Sequence, residues 1–170
     1  MKLNIYHLII GSNLGNRKEQ LSLALKLIRE EVGQVLQQSE IYETQPWGFD
    51  DQPWFLNQVL EVSTEKSPET VLSLIKNIET KAGRIPGEKW HERHLDIDIL
   101  LCGDLILQKP ELIIPHPLLH TRNFVLVPLM DLAAEVMHPV LGKTIEELYL
   151  DNRDTGEVYI FSADEQGNPL

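Results

Sequence analysis

Cysteine is almost absent from this chain of 170 residues, and aromatic residues make up only 6% of it. The single cysteine, Cys102, excludes an internal disulfide and a zinc site built from several cysteines. So little cysteine is typical of a reducing compartment, and we expect the protein to be cytoplasmic.

Basic residues are in the minority, with 15 Lys and Arg against 26 Asp and Glu and a formal net charge of −11. So acidic a surface repels the phosphate backbone of nucleic acids, and we expect no nucleic-acid partner. Long apolar runs are missing as well, since the longest, residues 124–130, contains a proline and falls far short of the ~20 residues that span a bilayer. The amino terminus has no signal-peptide pattern. We therefore expect no membrane partner.

Apolar residues make up 42% of the chain, which is enough for the core of one globular domain. We predict a single domain over residues 1–150, followed by an acidic C-terminal tail over residues 151–170. Between Glu146 and Glu165 there are seven acidic residues and one basic residue. The apolar run at residues 158–161 predicts an extra edge strand within the tail. The tail sequence suggests no function.

Hydrophobic periodicity divides the chain into strands and helices. Strands are predicted at residues 4–10, 34–44, 55–62, 95–102 and 105–107, and helices at 17–32, 67–82 and 122–135. The order of the main elements is β-α-β-β-α-β, which is typical of ferredoxin-like α+β folds with helices packed on an antiparallel sheet. The segment from residue 122 is expected to cover or border the other face of that sheet.

Asp96 and Asp98 are the chemically most unusual pair in the sequence. Residues two apart on a strand point to the same face, with roughly 6.5 Å between their Cα atoms, so both carboxylates leave an otherwise apolar strand together. Like charges so placed repel each other unless a cation joins them. Hard oxygen ligands favour Mg²⁺ that accompanies a nucleotide. The alternative is the exposed polar face of an edge strand.

A polar loop immediately before this strand carries Arg84, Trp90 and Arg93. Two guanidinium groups near two carboxylates favour a site for a polyphosphate held by arginine and metal together. The alternative is a pair of surface salt bridges to Glu88 and Glu92, each worth ~0–1 kcal/mol.

Two further groups of residues indicate ligand binding. Pro115 and Pro117 restrict the backbone on both sides of His116, which can present its imidazole to a phosphate, although a turn histidine is an equal alternative. The second group combines aromatic residues near loop ends with an amide, and consists of Trp47, Phe55, Asn57 and Phe124. An amide beside aromatic walls can bind a flat heterocycle, and the alternative for the rings is ordinary core packing.

Seven short motifs follow one another along the chain: Gly11-Ser12-Asn13-Leu14-Gly15-Asn16, Tyr42-Glu43-Thr44, Gln52-Pro53-x-Phe55-Leu56-Asn57, Gly83-Arg84, Trp90-x-x-Arg93-x-Leu95-Asp96-Ile97-Asp98-Ile99-Leu100, Ile114-Pro115-His116 and Arg122-x-Phe124-Val125-Leu126-x-Pro128-Leu129. In this order they resemble the 6-hydroxymethyl-7,8-dihydropterin pyrophosphokinases of folate biosynthesis. The resemblance covers most of the chain and implies the same ferredoxin-like fold.

The resemblance also implies an activity and a set of site residues. The enzyme would transfer the β,γ-diphosphoryl group of ATP to the hydroxymethyl oxygen of the reduced pterin and release AMP. Asp96 and Asp98 would hold two Mg²⁺ ions, and Arg84, Trp90 and Arg93 would act from the catalytic loop. ATP would contact Glu79, Ile99, Leu112, His116 and Arg122, and the pterin would contact Thr44, Trp47, Phe55, Asn57 and Phe124. We expect a monomer that binds ATP and the pterin.

The sequence departs from the family pattern at four positions. His91 and Glu92 stand in the loop where a Gly-Pro pair is usual, and the negative charge of Glu92 is expected to hinder loop closure around phosphates. Glu111 replaces a basic residue of some members, and Pro117 replaces an aromatic residue. We expect weaker ATP affinity from these last two changes.

Two other functions stay open at this point. A non-catalytic ferredoxin-like module would bind a small molecule or RNA, although an RNA-binding sheet needs basic residues that this acidic chain lacks. A metal-dependent phosphodiesterase would need a further metal ligand or base beside the aspartates, and the nearby choices are Glu79 and His94.

Overall fold

The computed structural model describes residues 2–48, 51–83 and 94–162. Its elements are β1 (Asn4–Ser12), α1 (Arg17–Glu31), β2 (Gln34–Gln38), β3 (Tyr42–Thr44), β4 (Phe55–Thr64), α2 (Pro68–Lys81), β5 (Asp96–Cys102), β6 (Leu107–Lys109), β7 (Leu112–Ile114), a 3₁₀ turn (Leu119–Thr121), α3 (Asn123–Ala133), α4 (Ile145–Asp151) and β8 (Val158–Ile160).

The main sheet has the order β5-β1-β4-β3-β8, and β2 pairs with the same edge of β4 as β3 does. All of these pairings are antiparallel. Strands β1 and β4 lie in the middle of the sheet. The crossover through α1 carries the chain from β1 to β2, on the far side of β4, and the crossover through α2 carries it from β4 to β5, on the far side of β1. This is the ferredoxin-like arrangement, and the predicted fold class is confirmed.

Helices pack on both faces of this sheet. On one face Leu8 and Ile10 of β1 contact α1 and α2, and on the other face Ile9 and Val59 contact α3 and α4. Alternate residues of a strand point to opposite faces, so a central strand between two helical layers is apolar throughout. The predicted covering of the second face by the segment from residue 122 is confirmed.

The helix ends follow the expected capping chemistry at α1 and α2. Asn16 accepts a hydrogen bond from the backbone N–H of Glu19, and Ser67 accepts one from that of Thr70, with Pro68 in the first turn. These side chains satisfy donors that the helix itself leaves without a partner. The start of α3 differs, since Arg122 provides no such side-chain bond.

The single strand predicted at residues 34–44 is wrong, because the segment forms two strands separated at Ser39. The Ser39 hydroxyl accepts the backbone N–H of Val59 over 2.9 Å, where a strand would use a backbone carbonyl. A register shift in the pairing of β2 with β4 accompanies this break. Both pieces nevertheless pair with the same edge of β4.

Two details nearer the C-terminus also differ from the sequence prediction. The short strand expected at residues 105–107 lies at Leu107–Lys109 instead, where it pairs with β7 in a separate hairpin around Pro110. Helix α4 was not predicted, because seven residues give too little periodicity. It begins with a capping box between Thr144 and Glu147, which was the available signal.

Strand β8 lies at the outer edge of the main sheet, where Val158 pairs with Thr44 of β3. The C-terminal segment therefore returns to the sheet after α4. Among the helices in the described ranges, none is both long and apolar enough to cross a membrane.

Asp131 joins α3 to the sheet. Its two carboxylate oxygens accept hydrogen bonds from the hydroxyl of Tyr42 over 2.9 and 2.8 Å, and Oδ2 also accepts the backbone N–H of Glu40. Burial, together with the neighbouring carboxylate, raises the pKa of the Tyr42 hydroxyl, so it stays a donor at neutral pH. Asp131 thus anchors α3 to β3, the strand that carries Thr44.

We expect Tyr42→Phe to lower the free energy of unfolding by about 1–2 kcal/mol, because it removes hydrogen bonds to a charged acceptor and leaves the ring packing intact. Urea unfolding of the wild type and the variant measures the difference. Tyr149→Phe changes an exposed tyrosine of α4 and should have no effect. Equal losses in the two variants would show that the contact with Asp131 contributes nothing.

Candidate functional site

One row of residues crosses the sheet at the point where β5 begins. The register pairs Asp96 with Gly11, Gly11 with Asn57, and Asn57 with Tyr42. Opposed residues of antiparallel strands point to the same face, and Asp98 shares that face with Asp96. This is the face on which α3 packs, so the carboxylates of β5 and the amide of β4 belong to one surface.

Gly11 is required in this row because of its neighbour. A Cβ atom at this position would collide with Oδ1 of Asn57. The Asn57 side chain is buried, and its Nδ2 donates a hydrogen bond to Oγ1 of Thr44 over 2.7 Å. Burial and the hydrogen bond to Thr44 hold the Asn57 amide in one orientation, so it presents a donor and an acceptor at fixed positions for a ligand.

Asp96 and Asp98 are half-buried at the start of β5. In the parts of the chain that the structure describes, no three His, Cys, Asp or Glu residues come together as a metal-binding group. A cation on this pair would complete its shell with phosphate or water oxygens. Two carboxylates on one strand face fit Mg²⁺ for this reason, because Mg²⁺ usually binds one or two carboxylates together with substrate phosphates.

A cavity of about 300 Å³ opens at the free edge of β5, between α2 and the β6–β7 hairpin. The predicted site residues in its lining are Glu79, Asp98, Ile99, Leu112 and His116. Ile99 and Leu112 are buried and offer apolar surface for a base, while Asp98 and His116 offer polar groups. The cavity therefore combines the chemistry of a nucleotide site with one of the two aspartates.

Glu79 has a structural bond within this cavity. Its side chain is buried, and Oε2 accepts the backbone N–H of Ile97 over 3.2 Å. Such donors along a free sheet edge otherwise face solvent. The carboxylate thus helps to hold β5 in place beside the cavity.

His116 is held in its neutral form. Its Nδ1 accepts the backbone N–H of Leu118 over 3.1 Å, which assigns the proton to Nε2. Burial and, to a lesser extent, the positive charge of Arg122 lower the pKa of His116 to about 4, although Asp96 opposes the shift. At neutral pH the imidazole is therefore an uncharged donor through Nε2.

Arg122 lies between two aromatic rings. Its Cζ is 4.4 Å from the ring centroid of Trp47 and 5.5 Å from that of Phe124, both within the range of cation–π attraction. Burial lowers the pKa of Arg122, while the two strand carboxylates and Asp154 oppose that shift. The guanidinium thus connects the aspartate pair electrostatically with the aromatic part of the site.

A second cavity of about 230 Å³ is lined by Phe124, by Trp47 and its loop neighbours at residues 45–48, and by residues 154–158 of the C-terminal segment. Thr44 and Phe55 are opposed in the β3–β4 pairing and share the sheet face with Asn57. The structure therefore places the predicted pterin residues in two groups: two aromatic residues at the cavity, and three residues on the strands that lead to it.

Comparison with known proteins identifies the family of this chain. The family model described as 7,8-dihydro-6-hydroxymethylpterin-pyrophosphokinase (HPPK) matches residues 7–134. The chain belongs to the HPPK family. The match begins in β1 and ends just after α3, so it contains the row formed by Asp96, Gly11, Asn57 and Tyr42.

Curated HPPK relatives are similar over nearly their whole length. The 2-amino-4-hydroxy-6-hydroxymethyldihydropteridine pyrophosphokinase of Porphyromonas gingivalis is 42% identical over 139 residues, which are 79% of this chain and 94% of that protein. The enzyme of the same name from Aquifex aeolicus is 37% identical over 146 residues, covering 86% of this chain and 91% of that protein.

Among solved structures, Plasmodium falciparum HPPK-DHPS A437G with STZ-DHP aligns with a TM-score of 0.73 at 20% identity. The alignment covers 88% of this chain and 45% of that one, so this chain spans less than half of the longer protein. At this identity the likeness supports the fold.

The HPPK catalytic-loop residues named from the sequence, Arg84, Trp90 and Arg93, lie outside the described residues, as do His91 and Glu92. Their roles stay predictions. Glu111 and Pro117 both line the cavity beside β5, so two of the departures from the family pattern lie at that cavity.

Sequence reasoning missed three contributors to the site of this HPPK chain. Gly11 could not be recognised without the strand register. Asn123, the first residue of α3, could not be recognised without its hydrogen bonds to residues 152, 154 and 156. The wall formed by residues 154–158 had only a weak signal, the turn-forming sequence Asp154-Thr155-Gly156, which predicts a turn but not its location.

The histidine of this HPPK site leads to a pH prediction. His116 has a folded pKa of about 4 against 6.5 for an ordinary histidine, so between these values the unfolded chain binds more protons. Its contribution to stability is fully present above pH 6.5 and is lost as the pH falls towards 4. We expect the wild type to lose about 1–2 kcal/mol more than His116→Gln between pH 7 and pH 5.

Urea unfolding of both proteins at the two pH values measures this difference. The other titrating groups are present in both proteins, so their contributions cancel in the comparison. Equal losses would show that the imidazole is not held neutral by the fold.

Proposed function

We propose that this chain transfers the β,γ-diphosphoryl group of ATP to the hydroxymethyl oxygen of 6-hydroxymethyl-7,8-dihydropterin and releases AMP. In that reaction the pterin oxygen forms a bond to the β-phosphorus, the bond from that phosphorus to the oxygen of the α-phosphate breaks, and the hydroxyl proton passes to water. Membership of the HPPK family supports this reaction.

The observation that carries the proposal is the row of opposed residues across β5, β1 and β4. Asp96, Gly11 and Asn57 lie side by side on one face, so a metal-bound polyphosphate and a heterocycle held by the amide would be neighbours. Holding two substrates in reactive contact accounts for much of the catalysis of phosphoryl transfer. Gly11 leaves room for the Asn57 side chain in this row, since a Cβ at that position would collide with Oδ1 of Asn57.

Asp96 and Asp98 are proposed to bind two Mg²⁺ ions that accompany ATP. Such ions neutralise phosphate charge and stabilise the charge that develops in transfer. The protein contributes two carboxylates held on one rigid strand. Because the two carboxylates repel each other, a cation bound between them would lower their electrostatic energy.

The nucleotide is proposed to occupy the cavity beside β5. Ile99 and Leu112 would contact the base, and Nε2–H of His116 would donate to a phosphate oxygen without adding charge. Arg122 would supply a positive charge near the aspartate pair, and Glu79 would hold the strand. Arg84 and Arg93 are proposed, from the family resemblance, to bind the phosphates together with Trp90.

The pterin is proposed to lie against the aromatic residues. Its polar edge would bond to Asn57 and Thr44, and its rings would stack with Phe55, Phe124 and Trp47. Stacking and burial of a flat ring favour binding, while the fixed amide selects the pattern of donors and acceptors. We also propose a cytoplasmic monomer whose partners are ATP and the reduced pterin; the single buried cysteine suits a reducing compartment.

Formation of AMP tests the reaction, and Asp98→Ala tests its metal site. With ATP, Mg²⁺ and the pterin, the wild type should form AMP, whereas ADP would indicate a different kinase chemistry. We expect Asp98→Ala to lower kcat by at least ~10²-fold, because stabilisation of transferring charge is lost. Pterin affinity and melting temperature should change little, since the change removes one of two repelling carboxylates.

Asp104→Ala is the matched control, since it removes an exposed carboxylate from the turn just after β5. It should retain wild-type turnover. A variant at Asp98 that keeps its turnover but melts at a much lower temperature would contradict a role in metal binding.

Phe124→Ala tests the aromatic part of the site. We expect pterin binding to weaken by roughly 1–3 kcal/mol through lost stacking and burial, with ATP affinity nearly unchanged. Calorimetric titration with each ligand measures both values. Phe161→Ala is the control, because that ring packs on the opposite face of the sheet. Equal weakening for both ligands at Phe124 would indicate a core residue instead of a pocket wall.

A further inference from the structure

The C-terminal segment supplies the cap that α3 lacks. Oδ2 of Asp154 accepts the backbone N–H of Asn123, the first residue of α3, over 2.8 Å. Its other oxygen, Oδ1, accepts the backbone N–H of Gly156 over 2.8 Å, which folds the segment into a tight turn. A carboxylate at this end of a helix satisfies a free donor and interacts favourably with the helix dipole.

The side chain of Asn123 strengthens the same junction. Its Nδ2 donates to the carbonyl oxygens of Asp154 over 2.7 Å and of Gly156 over 3.2 Å. Its Oδ1 accepts from Nδ2 of Asn152 over 2.6 Å. The start of α3 is therefore bound to the segment through both backbone and side chain.

The far end of this segment is bound to the sheet. The backbone N–H of Gln45 donates to the carbonyl of Glu157 over 2.9 Å, and Oε1 of Gln45 accepts the N–H of Glu157 over 3.2 Å. Val158 then pairs with Thr44 in the sheet. The segment thus bridges two elements that carry predicted pterin residues, and between those anchors it lines the cavity with Trp47 and Phe124.

We propose that residues 152–158 are a wall of the pterin pocket and that Asp154 is a positioning residue, which holds the start of α3 and with it Arg122 and Phe124. This inference rests on the proposed function. It gives a role in substrate binding to a part of the chain that lies beyond the 7–134 range of the family model.

The positions of the two flanking residues explain why this anchor matters. Arg122 and Phe124 lie on either side of Asn123, and the guanidinium of Arg122 contacts the Phe124 ring. A shift of the first helical turn would move both the stacking ring and the guanidinium beside it. Asp98 and the rest of the nucleotide cavity lie on other elements, so ATP binding should feel this shift less.

Asp154→Ala and Asn123→Ala are the test variants, assayed as full-length protein for KM of each substrate and for kcat. The first removes the cap and a carboxylate near Arg122, whereas the second removes only side-chain bonds and leaves every charge in place. We expect each to raise the pterin KM by about tenfold, as the loss of one cap or of the three side-chain hydrogen bonds of Asn123 would do. The ATP KM should rise less than the pterin KM, because Arg122 is only one of several residues proposed to contact ATP, and kcat should stay within about twofold of the wild type.

Asp151→Ala is the matched control. Asp151 is an exposed acid three residues earlier, and its side chain pairs with Lys143 over 2.6 Å. It should leave both KM values and kcat unchanged. If Asp154→Ala does not fold, Asp154→Asn is the second variant. Asparagine has the shape of aspartate but keeps only one of the two acceptor oxygens, so we expect a pterin KM between those of the wild type and Asn123→Ala.

The possible outcomes separate this inference from the proposed function. If the wild type forms no AMP, the proposed function itself fails. If it forms AMP and both variants keep the wild-type pterin KM, the wall has no role in binding. A loss of kcat with unchanged KM values, or an equal rise in both KM values, would also overturn the inference, because a purely structural contact lowers the active fraction or disturbs both sites.

Discussion

The antiparallel register of β1 with its two neighbours is the constraint on which the rest of the site depends. Because Gly11 is opposed by Asp96 on one side and Asn57 on the other, a shift of β1 by one residue would move Gly11 to the face opposite to that of Asp96 and Asn57. Burial of alternating apolar residues on both sides of β1 prevents such a shift, since Leu8 and Ile9 belong to opposite cores. The packing of the sheet thus fixes the distances between the site residues on β5, β1 and β4.

Charge is distributed unevenly around this register. The chain carries a net charge of −11, and two of its carboxylates are placed side by side on β5. Arg122 is buried near them, and its guanidinium is stabilised by both carboxylates and by two aromatic faces. His116 is kept neutral in the same surroundings. The site therefore favours cations at the aspartates and places the positive charge of an arginine beside them.

Sequence patterns predicted the sheet, the first three helices and the aspartate pair, because these depend on local periodicity and on residue chemistry. The break at Ser39 was not predictable, since a serine hydroxyl replaces a backbone acceptor only where a distant strand offers its N–H. The same limit applies to Asp154 and Asn123, whose bonds join residues about thirty positions apart. Roles for Arg84, Trp90 and Arg93 rest on the sequence alone, since these residues lie outside the described ranges.

Strand β8 has a consequence for the order in which the site can be completed during synthesis. A ribosome releases β3 more than a hundred residues before its outer partner, so the edge at Thr44 stays uncovered until Val158 has emerged. Contacts so distant along the chain form late in folding. The sheet and both helical layers can form first, whereas the outer side of the aromatic cavity closes last. In a nascent chain the aspartate pair would therefore be in place well before the aromatic cavity is complete.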